Sequence, residues 1–341
     1  MQLQAGEVVL GVDTHKDLHV AAVLDALGRQ LAIAEFSSTA AGAEQLLTWG
    51  RQHGLVRAAG VEGTGSYGYQ LTRRLQAAGV TVIEVSRPDR GRRRRRGKSD
   101  PVDADAAARA VLAGDATAVP KDRGGPVGAL RALMLARRSA VKARTQTLNQ
   151  VHALLVSCDD DLRGPVSRLR GRHLASACAA LSPDDGTTLA LISLGRRWLT
   201  LHQEVITLDR EIRKRVRATA PQLLTKHGVG IHTAAQLLIT AGDNPDRLTH
   251  DAAFAALCGT SPVEASSGKT RRHRLNRGGD RSANTALWII AHVRLVHDPR
   301  TRAYAARRTA LGDSRKDILR RLQRYISREL YPIITASLAT P

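Results

Sequence analysis

Residues 8–24 read VVLGVDTHKDLHVAAVL, and this stretch decides the fold of the first part of the chain. Its two apolar runs, Val8 to Asp13 and Leu18 to Leu24, are separated by a short polar turn. Runs of this length predict two buried strands, and the short turn favours antiparallel pairing. Asp13 ends the first strand, where a charge is costly unless it binds something. The alternative for Asp13 is an ordinary turn aspartate.

The same kind of pattern continues downstream. The sequence predicts a strand over Gln30 to Phe36, a helix over Ala40 to His53, a strand over Ala58 to Glu62, a helix over Tyr69 to Ala78 and a strand over Val80 to Val85. Three meandering strands followed by helix, strand, helix and strand is the order of ribonuclease-H-like domains. We therefore predict an α/β domain over residues 1–125 and mainly helices after it.

The charge of the chain predicts a polyanionic partner. The 341 residues include 52 Lys and Arg against 31 Asp and Glu, a net charge of +21, and such a field attracts nucleic acid. Aromatic residues make up 3% of the chain, which argues against rows of stacking platforms and favours arginine–phosphate contacts. A basic run precedes an acidic pair, so we expect nucleic-acid contact there rather than a solvated loop. Its members are Arg92, Arg93, Arg94, Arg95, Arg96 and Lys98.

Several classes of protein are excluded. No apolar run approaches the ~18 residues of a spanning helix, and no signal peptide opens the sequence. We therefore expect no membrane partner and a bacterial cytoplasmic location, at the nucleoid when DNA is bound. The three cysteines, Cys158, Cys178 and Cys258, form no Cys-x-x-Cys pair, which argues against zinc ribbons and disulfide frameworks.

Residues 126–220 are predicted to form a helical connector. Seven apolar residues alternate spacings of three and four, as at the seam of a coiled coil: Leu191, Leu194, Trp198, Leu201, Val205, Leu208 and Ile212. A second repeat runs every seven residues through Met134, Val141, Leu148 and Leu155. The two helices predict an antiparallel hairpin arm whose seam is either internal or shared between subunits.

Four carboxylates follow one another in an order typical of a metal-dependent nuclease. Glu62, like Asp13, stands at the end of an apolar strand, and the two strands are neighbours in the predicted fold. Asp100 and Asp103 are three residues apart, on one face of a helical turn. Carboxylate oxygens bind Mg²⁺, which stabilises the oxygens of a reacting phosphodiester. The alternative for Asp100 is a helix N-cap, with Pro101 at the first helical position.

The last part of the chain, residues 221–341, contains a glycine turn and basic helices. Gly228 and Gly230 resemble a helix-hairpin-helix turn, in which backbone N–H groups approach a phosphate. A glycine turn between two packed helices is the alternative. Beyond Lys269, basic residues recur to Arg328 with apolar residues between them, which predicts amphipathic basic helices.

Eight motifs together carry a family resemblance. They are GVDTHK (11–16), VEGTGSY (61–67), KSDPVDA (98–104), GVG (228–230), LCGTSP (257–262), SSGK (266–269), LNRGGD (275–280) and NTAL (284–287). In this order they resemble the DEDD transposases of bacterial insertion sequences, the family named after insertion sequence one-ten. Its members include bridge-RNA-guided recombinases.

The resemblance implies a RuvC-like N-terminal domain, a coiled-coil connector and a small helical C-terminal domain. It implies Asp13, Glu62, Asp100 and Asp103 as ligands of magnesium, with manganese as the alternative ion. It also implies a serine that becomes covalently linked to DNA, placed at Ser267 with Ser266 as the adjacent competitor. Basic residues around this serine are expected to bind the flanking phosphates: Lys269, Arg271, Arg272, Arg274 and Arg277.

The function implied by the resemblance is DNA transposition by recombination: excision of an insertion sequence and its insertion at a target chosen through a structured guide RNA. The expected partners are DNA (element ends or junction, and target), that RNA, and further copies of the chain in a dimer or tetramer formed through the coiled coil. One rival is a RuvC-like junction nuclease that uses water as the nucleophile. The other is a non-catalytic nucleic-acid-binding protein, which leaves the ordered carboxylates unexplained.

Overall fold

The computed structural model describes residues 3–85, 99–268, 273–274 and 276–339. The chain folds as two compact units, Met1–Lys121 and Asp122–Pro341. Several predicted nucleic-acid-binding residues lie outside the described residues: Arg92, Arg93, Arg94, Arg95, Arg96, Lys98, Lys269, Arg271 and Arg272. The predicted division at 125 and 220 into three domains stays a prediction.

The first unit is built on one mixed five-stranded sheet. Its strands are β1 (Glu7–Thr14), β2 (Leu18–Asp25), β3 (Gln30–Ser37), β4 (Leu55–Val61) and β5 (Thr81–Glu84), in the spatial order β3-β2-β1-β4-β5. β1, β2 and β3 pair antiparallel, whereas β1 with β4 and β4 with β5 pair parallel. The strands predicted from the sequence are all present, and their order agrees with a ribonuclease-H-like domain.

Helices cover both faces of this sheet, which is why β1 and β2 are apolar almost throughout. They are α1 (Ala40–Gln52), α2 (Tyr69–Ala77) and α3 (Asp100–Ala113). The side chain of Thr39 caps α1 by accepting a hydrogen bond from the Gly42 N–H, which explains where that helix begins. α1 and α2 pack on one face of the sheet and α3 on the other.

α3 lies unusually close to the sheet because its contact face is rich in alanine and meets glycine on β1. A Cβ atom built on Gly11 would lie 2.0 Å from the Ala104 carbonyl oxygen and 2.4 Å from the Ala108 nitrogen. The backbone of the helix therefore rests directly on β1. This contact fixes the depth at which the first turn of α3, with its two aspartates, sits beside the end of the strand.

The described residues of the second unit form helices and one short hairpin. Its helices are α4 (Pro126–Val156), α5 (Asp160–Val166), α6 (Gly171–Ala179), α7 (Gly186–Thr219), α8 (Ile231–Ala241), α9 (Asp251–Leu257), α10 (Arg281–His297), α11 (Pro299–Ala310) and α12 (Arg315–Ala339). Two 3₁₀ turns, Pro221–Thr225 and Pro245–Arg247, flank α8. The hairpin strands are β6 (Val263–Glu264) and β7 (His273–Arg274). Among the helices of the described chain, none is long and apolar enough to cross a membrane.

The two long helices α4 and α7 pack against each other in antiparallel directions. Arg137 of α4 forms an ion pair with Asp209 of α7. Two turns further along α4, the Nη1 atom of Arg144 lies 2.9 Å from the Nδ1 atom of His202. The predicted seam residues Leu191, Trp198, Val205 and Ile212 are buried. The supercoil and any role of this pair in joining subunits stay predictions.

Each end of this helix pair belongs to a different hydrophobic core. At one end, Val127 of α4 and Val216 of α7 share a core with α8, α10 and α12. At the other end, Leu155 and Leu191 share a smaller core with Leu174 of α6. The predicted connector thus contributes its base to the same core as the helices after residue 221.

Candidate functional site

Asp13 occupies the carboxyl end of β1, and its side chain is buried, with the residue 7% exposed. Burial raises the pKa of its carboxyl group, and the negative charges of Asp100 and Asp103 raise it further, while His15 acts in the opposite direction. A carboxylate in such surroundings is stabilised by a bound cation, because a cation offsets both the desolvation and the repulsion.

His15 brings Asp13 and Asp100 into one group. Its Nε2 atom lies 3.2 Å from Asp13 Oδ2 and 3.4 Å from Asp100 Oδ2. The turn that carries it is closed by a hydrogen bond from the His15 N–H to the Leu18 carbonyl oxygen. One potential ligand atom from each of the three side chains lies within 4.8 Å of the other two. Two carboxylates and an imidazole in this arrangement are compatible with a divalent cation.

Sequence reasoning placed His15 only in a polar turn and missed its position between two aspartates. The available signal was its spacing, two residues after a buried strand-end carboxylate. That spacing does not determine the direction of a side chain on a turn, so the contact with Asp100, 85 residues away, was not foreseeable.

The first turn of α3 supplies the other aspartates. The helix begins at Asp100, and Ser99, with φ −149° and ψ 150°, is the capping residue. The alternative that Asp100 itself is the N-cap is therefore wrong by one residue. The carboxylate of Asp100 instead contacts the imidazole of His15. Asp103 is buried, at 2% exposure, and its charge acts on Asp13. Asp105 instead forms an ion pair with Arg109 at 2.8 Å.

Glu62 follows β4 at the same edge of the sheet as Asp13. The register places Val61 beside Val12, as expected for adjacent parallel strands. The Glu62 N–H donates to the Val12 carbonyl oxygen at 3.0 Å, and the Thr14 hydroxyl donates to the Glu62 carbonyl oxygen at 2.8 Å. The group of ligand atoms within 4.8 Å does not include the carboxylates of Glu62 or Asp103, and both stay predicted ligands.

The two candidate serines lie in the connection between β6 and β7. Val263 pairs with Arg274 and Glu264 with His273. Ser267 is exposed and Ser266 is partly buried, and both precede Gly268, which has a φ of +54°. Ser267 is thus presented to solvent, and Arg274, on the second strand of the hairpin, is also exposed. Arg277, also exposed, follows the second strand.

The glycine turn before α8 has a packing explanation. Gly228 has a φ of +78°, and a Cβ atom on it would lie 3.1 Å from the Ile290 carbonyl oxygen. The Gly230 N–H donates to the Thr233 hydroxyl at 2.9 Å. The chain itself therefore satisfies this group, which favours a turn between packed helices over a phosphate-binding turn.

Two family models match the chain. One, for DEDD transposases of the IS110 type and described as "Transposase", matches residues 10–158. The other, "Transposase IS116/IS110/IS902 family", matches residues 220–306. The first range contains the Asp13–His15–Asp100 group and the second contains the serine hairpin. Together the two ranges cover more than half of the chain.

A curated relative agrees with these models. The "Insertion element IS110 uncharacterized 43.6 kDa protein" of Streptomyces coelicolor is 32% identical over 146 residues, which are 42% of this chain and 36% of the relative. The match thus spans about a third of the relative's length. The order of strands, the acidic group at the end of β1 and both family models lead to one conclusion: the chain belongs to the IS110 family of transposases.

Proposed function

We propose that this protein is a transposase and recombinase that excises an insertion sequence and inserts it at a specific target by cutting and rejoining DNA strands. The observation that carries the proposal is the convergence of Asp13, His15 and Asp100 at the end of β1. In a chain of this family, such a group at this edge of the sheet supports a metal-dependent reaction at phosphorus.

The proposed cation is Mg²⁺, with Mn²⁺ as the alternative. Asp13 and Asp100, together with the predicted ligands Glu62 and Asp103, supply the oxygen atoms that such ions prefer. The bound ion would neutralise the charge that develops on the phosphate oxygens. Because Asp13 is buried, water screens the attraction between its carboxylate and a cation only weakly. The close contact of α3 with Gly11 holds Asp100 near Asp13.

The proposed nucleophile is the hydroxyl group of Ser267, with Ser266 as the competitor. Its Oγ atom would form a bond to phosphorus as the bond from phosphorus to the sugar oxygen of the departing strand breaks. The serine proton ends on that sugar oxygen, so the departing strand leaves with a free hydroxyl group. The phosphoserine link retains the energy of the broken bond, and attack by another sugar hydroxyl rejoins the strands without ATP.

The net charge of +21 supports extensive contact with nucleic acid. We propose element ends or their junction, and the target, as the DNA partners. Guidance by a structured RNA and assembly into a dimer or tetramer rest on the family alone.

A covalent-capture assay tests the proposal. Purified protein is incubated with Mg²⁺, junction DNA and RNA recovered from expressing cells, then separated on a denaturing gel. We expect a protein–DNA adduct that is absent in Ser267→Ala and in Asp13→Asn, and present in the control Ser182→Ala, which changes an exposed serine elsewhere.

Each other outcome leads to a different nucleophile or a different function. An adduct lost in Ser266→Ala and kept in Ser267→Ala moves the nucleophile by one residue. Cleaved DNA without an adduct identifies a nuclease that uses water. Binding with neither product is the outcome expected of a non-catalytic nucleic-acid-binding protein, of an inactive copy or of a missing partner.

A further inference from the structure

Three of the C-terminal motifs have no role in the reaction proposed above, yet the fold brings them together. Parts of LCGTSP, LNRGGD and NTAL line one cleft of about 670 Å³ in the second unit. Helix α12 also lines the cleft, as does β7, the second strand of the hairpin that carries Ser267. Among the lining residues are Thr260, Arg274, Asn276, Asn284, Arg324 and Tyr325.

The floor of the cleft is rigid. The Asn284 side-chain amide donates to the carbonyl oxygens of Cys258 and Gly259, at 3.2 Å each. The buried Gln323 side chain donates to the Asn284 carbonyl oxygen at 3.0 Å. A Cβ atom on Gly279 would lie 2.2 Å from the Gly259 nitrogen, so two backbone segments touch there. A floor built this way is preorganised for a ligand.

The cleft is lined by four arginines and two aspartates. Three of these arginines already form ion pairs: Arg320 with Asp317, Arg321 with Asp313 and Arg324 with Asp251. Arg274, on β7, forms no ion pair with a described carboxylate. Its exposed guanidinium is therefore placed to donate hydrogen bonds to a phosphate oxygen.

An aromatic platform stands at the edge of the same cleft. Tyr325 is 52% exposed, and its ring is held edge-to-face against Tyr304, with centroids 5.9 Å apart. An exposed ring in a fixed orientation offers a stacking surface for a base. An exposed arginine without an ion pair to a described carboxylate and an exposed ring, both lining one cleft, are complementary to the phosphate and the base of a nucleotide.

We propose that this cleft binds one unpaired nucleotide of a nucleic-acid strand, with its phosphate on Arg274 and its base against Tyr325. The volume of about 670 Å³ lies in the range of ligand pockets, and a base can stack on Tyr325 only when it is not already stacked in a duplex. Ser267 is four residues beyond Val263, the partner of Arg274, so its Cα atom lies within about 13 Å of the Cα atom of Val263. The assignment of the bound strand to the one that the serine holds rests on the proposed function, whereas the binding itself does not.

Binding is measured by fluorescence anisotropy on full-length Ser267→Ala protein without divalent cations, so that cleavage plays no part. The probes are a single-stranded DNA, the RNA of the same sequence and the corresponding duplex, at raised salt to weaken non-specific contacts. In this background, Tyr325→Ala and Arg274→Ala should each weaken single-strand binding about tenfold and change duplex binding less than twofold. The probe that shows this selective loss, DNA or RNA, identifies the strand.

Two matched controls accompany these variants. Tyr67→Ala removes a ring of similar exposure, 56%, from the first unit, and Arg302→Ala removes an exposed arginine of α11. Both should leave single-strand binding within twofold. As a positive readout, strands carrying 5-iodouracil should crosslink to a peptide of α12 on irradiation.

Two results would overturn the proposal: unchanged single-strand binding in both cleft variants, or an equal loss for single strand and duplex. A crosslink confined to other helices would do the same. The covalent protein–DNA adduct that the wild-type protein forms in the presence of Mg²⁺ is a separate readout. Its absence would count against the serine chemistry and leave the cleft assignment standing.

Discussion

The substitution Gly11→Ala tests whether the close seat of α3 on the sheet organises the acidic group. The added methyl carbon would lie 2.0 Å from the Ala104 carbonyl oxygen, whereas real Cβ atoms essentially never approach closer than 3.0 Å. Both contacts are backbone atoms of α3, so no side chain can turn away to make room. The helix must move about 1 Å away from β1.

This movement has two measurable costs. Forcing one extra carbon into a packed core reduces the free energy of unfolding by about 1–3 kcal/mol. The shift also carries Asp100 away from Asp13 and His15. Disturbing the residues that position metal ligands reduces metal affinity about 10–100-fold, and we expect a loss in that range for Mn²⁺.

Thermal unfolding measures the first cost and calorimetric titration with Mn²⁺ the second. The matched control is Gly164→Ala, because a Cβ atom there meets nothing within 4 Å. This control should bind Mn²⁺ as tightly as the wild type. A Gly11→Ala protein with wild-type stability and wild-type Mn²⁺ affinity would refute the argument that the glycine contact sets the position of the aspartates.

Three further predictions concern single side chains. In Asp13→Asn, added Mn²⁺ should no longer raise the unfolding temperature as it does in the wild type, because the central carboxylate is gone; without the ion the unfolding temperature should not fall, since an amide is less costly to bury than a charge. His15→Ala should weaken Mn²⁺ binding about tenfold by calorimetry, because the imidazole nitrogen lies between both aspartates. Burial opposes ionisation of Asp209, but hydrogen bonds from Arg137 and His232 hold its pKa below the ordinary value of 3.8. The stability from this group is therefore complete above that value and lost as the pH falls through the folded-state pKa, so Asp209→Asn should flatten the curve of unfolding free energy against pH below about 4.

The sheet was predictable because each of its strands carries its own local signal. The apolar runs of β1 and β2 and the short turn between them favoured antiparallel pairing, and the order of the elements made β1 and β4 neighbours. That adjacency places Asp13 and Glu62 at the same edge of the sheet, whereas a metal site shared by their carboxylates stays a prediction. The start of α3 was one residue off, since Ser99 and Asp100 are both good capping residues and only the backbone dihedral angles distinguish them.

The parts that could not be predicted depend on tertiary packing. The cleft combines side chains from Gly259 to Tyr325, which no local pattern connects. The heptad spacing of α7 predicted a seam and left its partner open, because an a/d pattern is the same for a helix of the same chain and one of another. The ion pair of Arg137 with Asp209 shows that α4 is a partner of α7 within this chain.

The unbroken helices that join the two cores of the second unit make a lever. α4 has 31 residues and no proline beyond its first turn, so it is about 46 Å long. A rotation of about 5° at its base, where Val127 packs with the helices of the serine-bearing region, moves its far end by about 4 Å. A displacement of that size would break a hydrogen bond between the far end of α4 and a bound molecule. A molecule that binds the far end of α4, around Leu155, is therefore sensitive to the orientation of the helix at its other end, around Val127. Fixing the far end in place restricts the angles at which the serine-bearing region can approach its substrate.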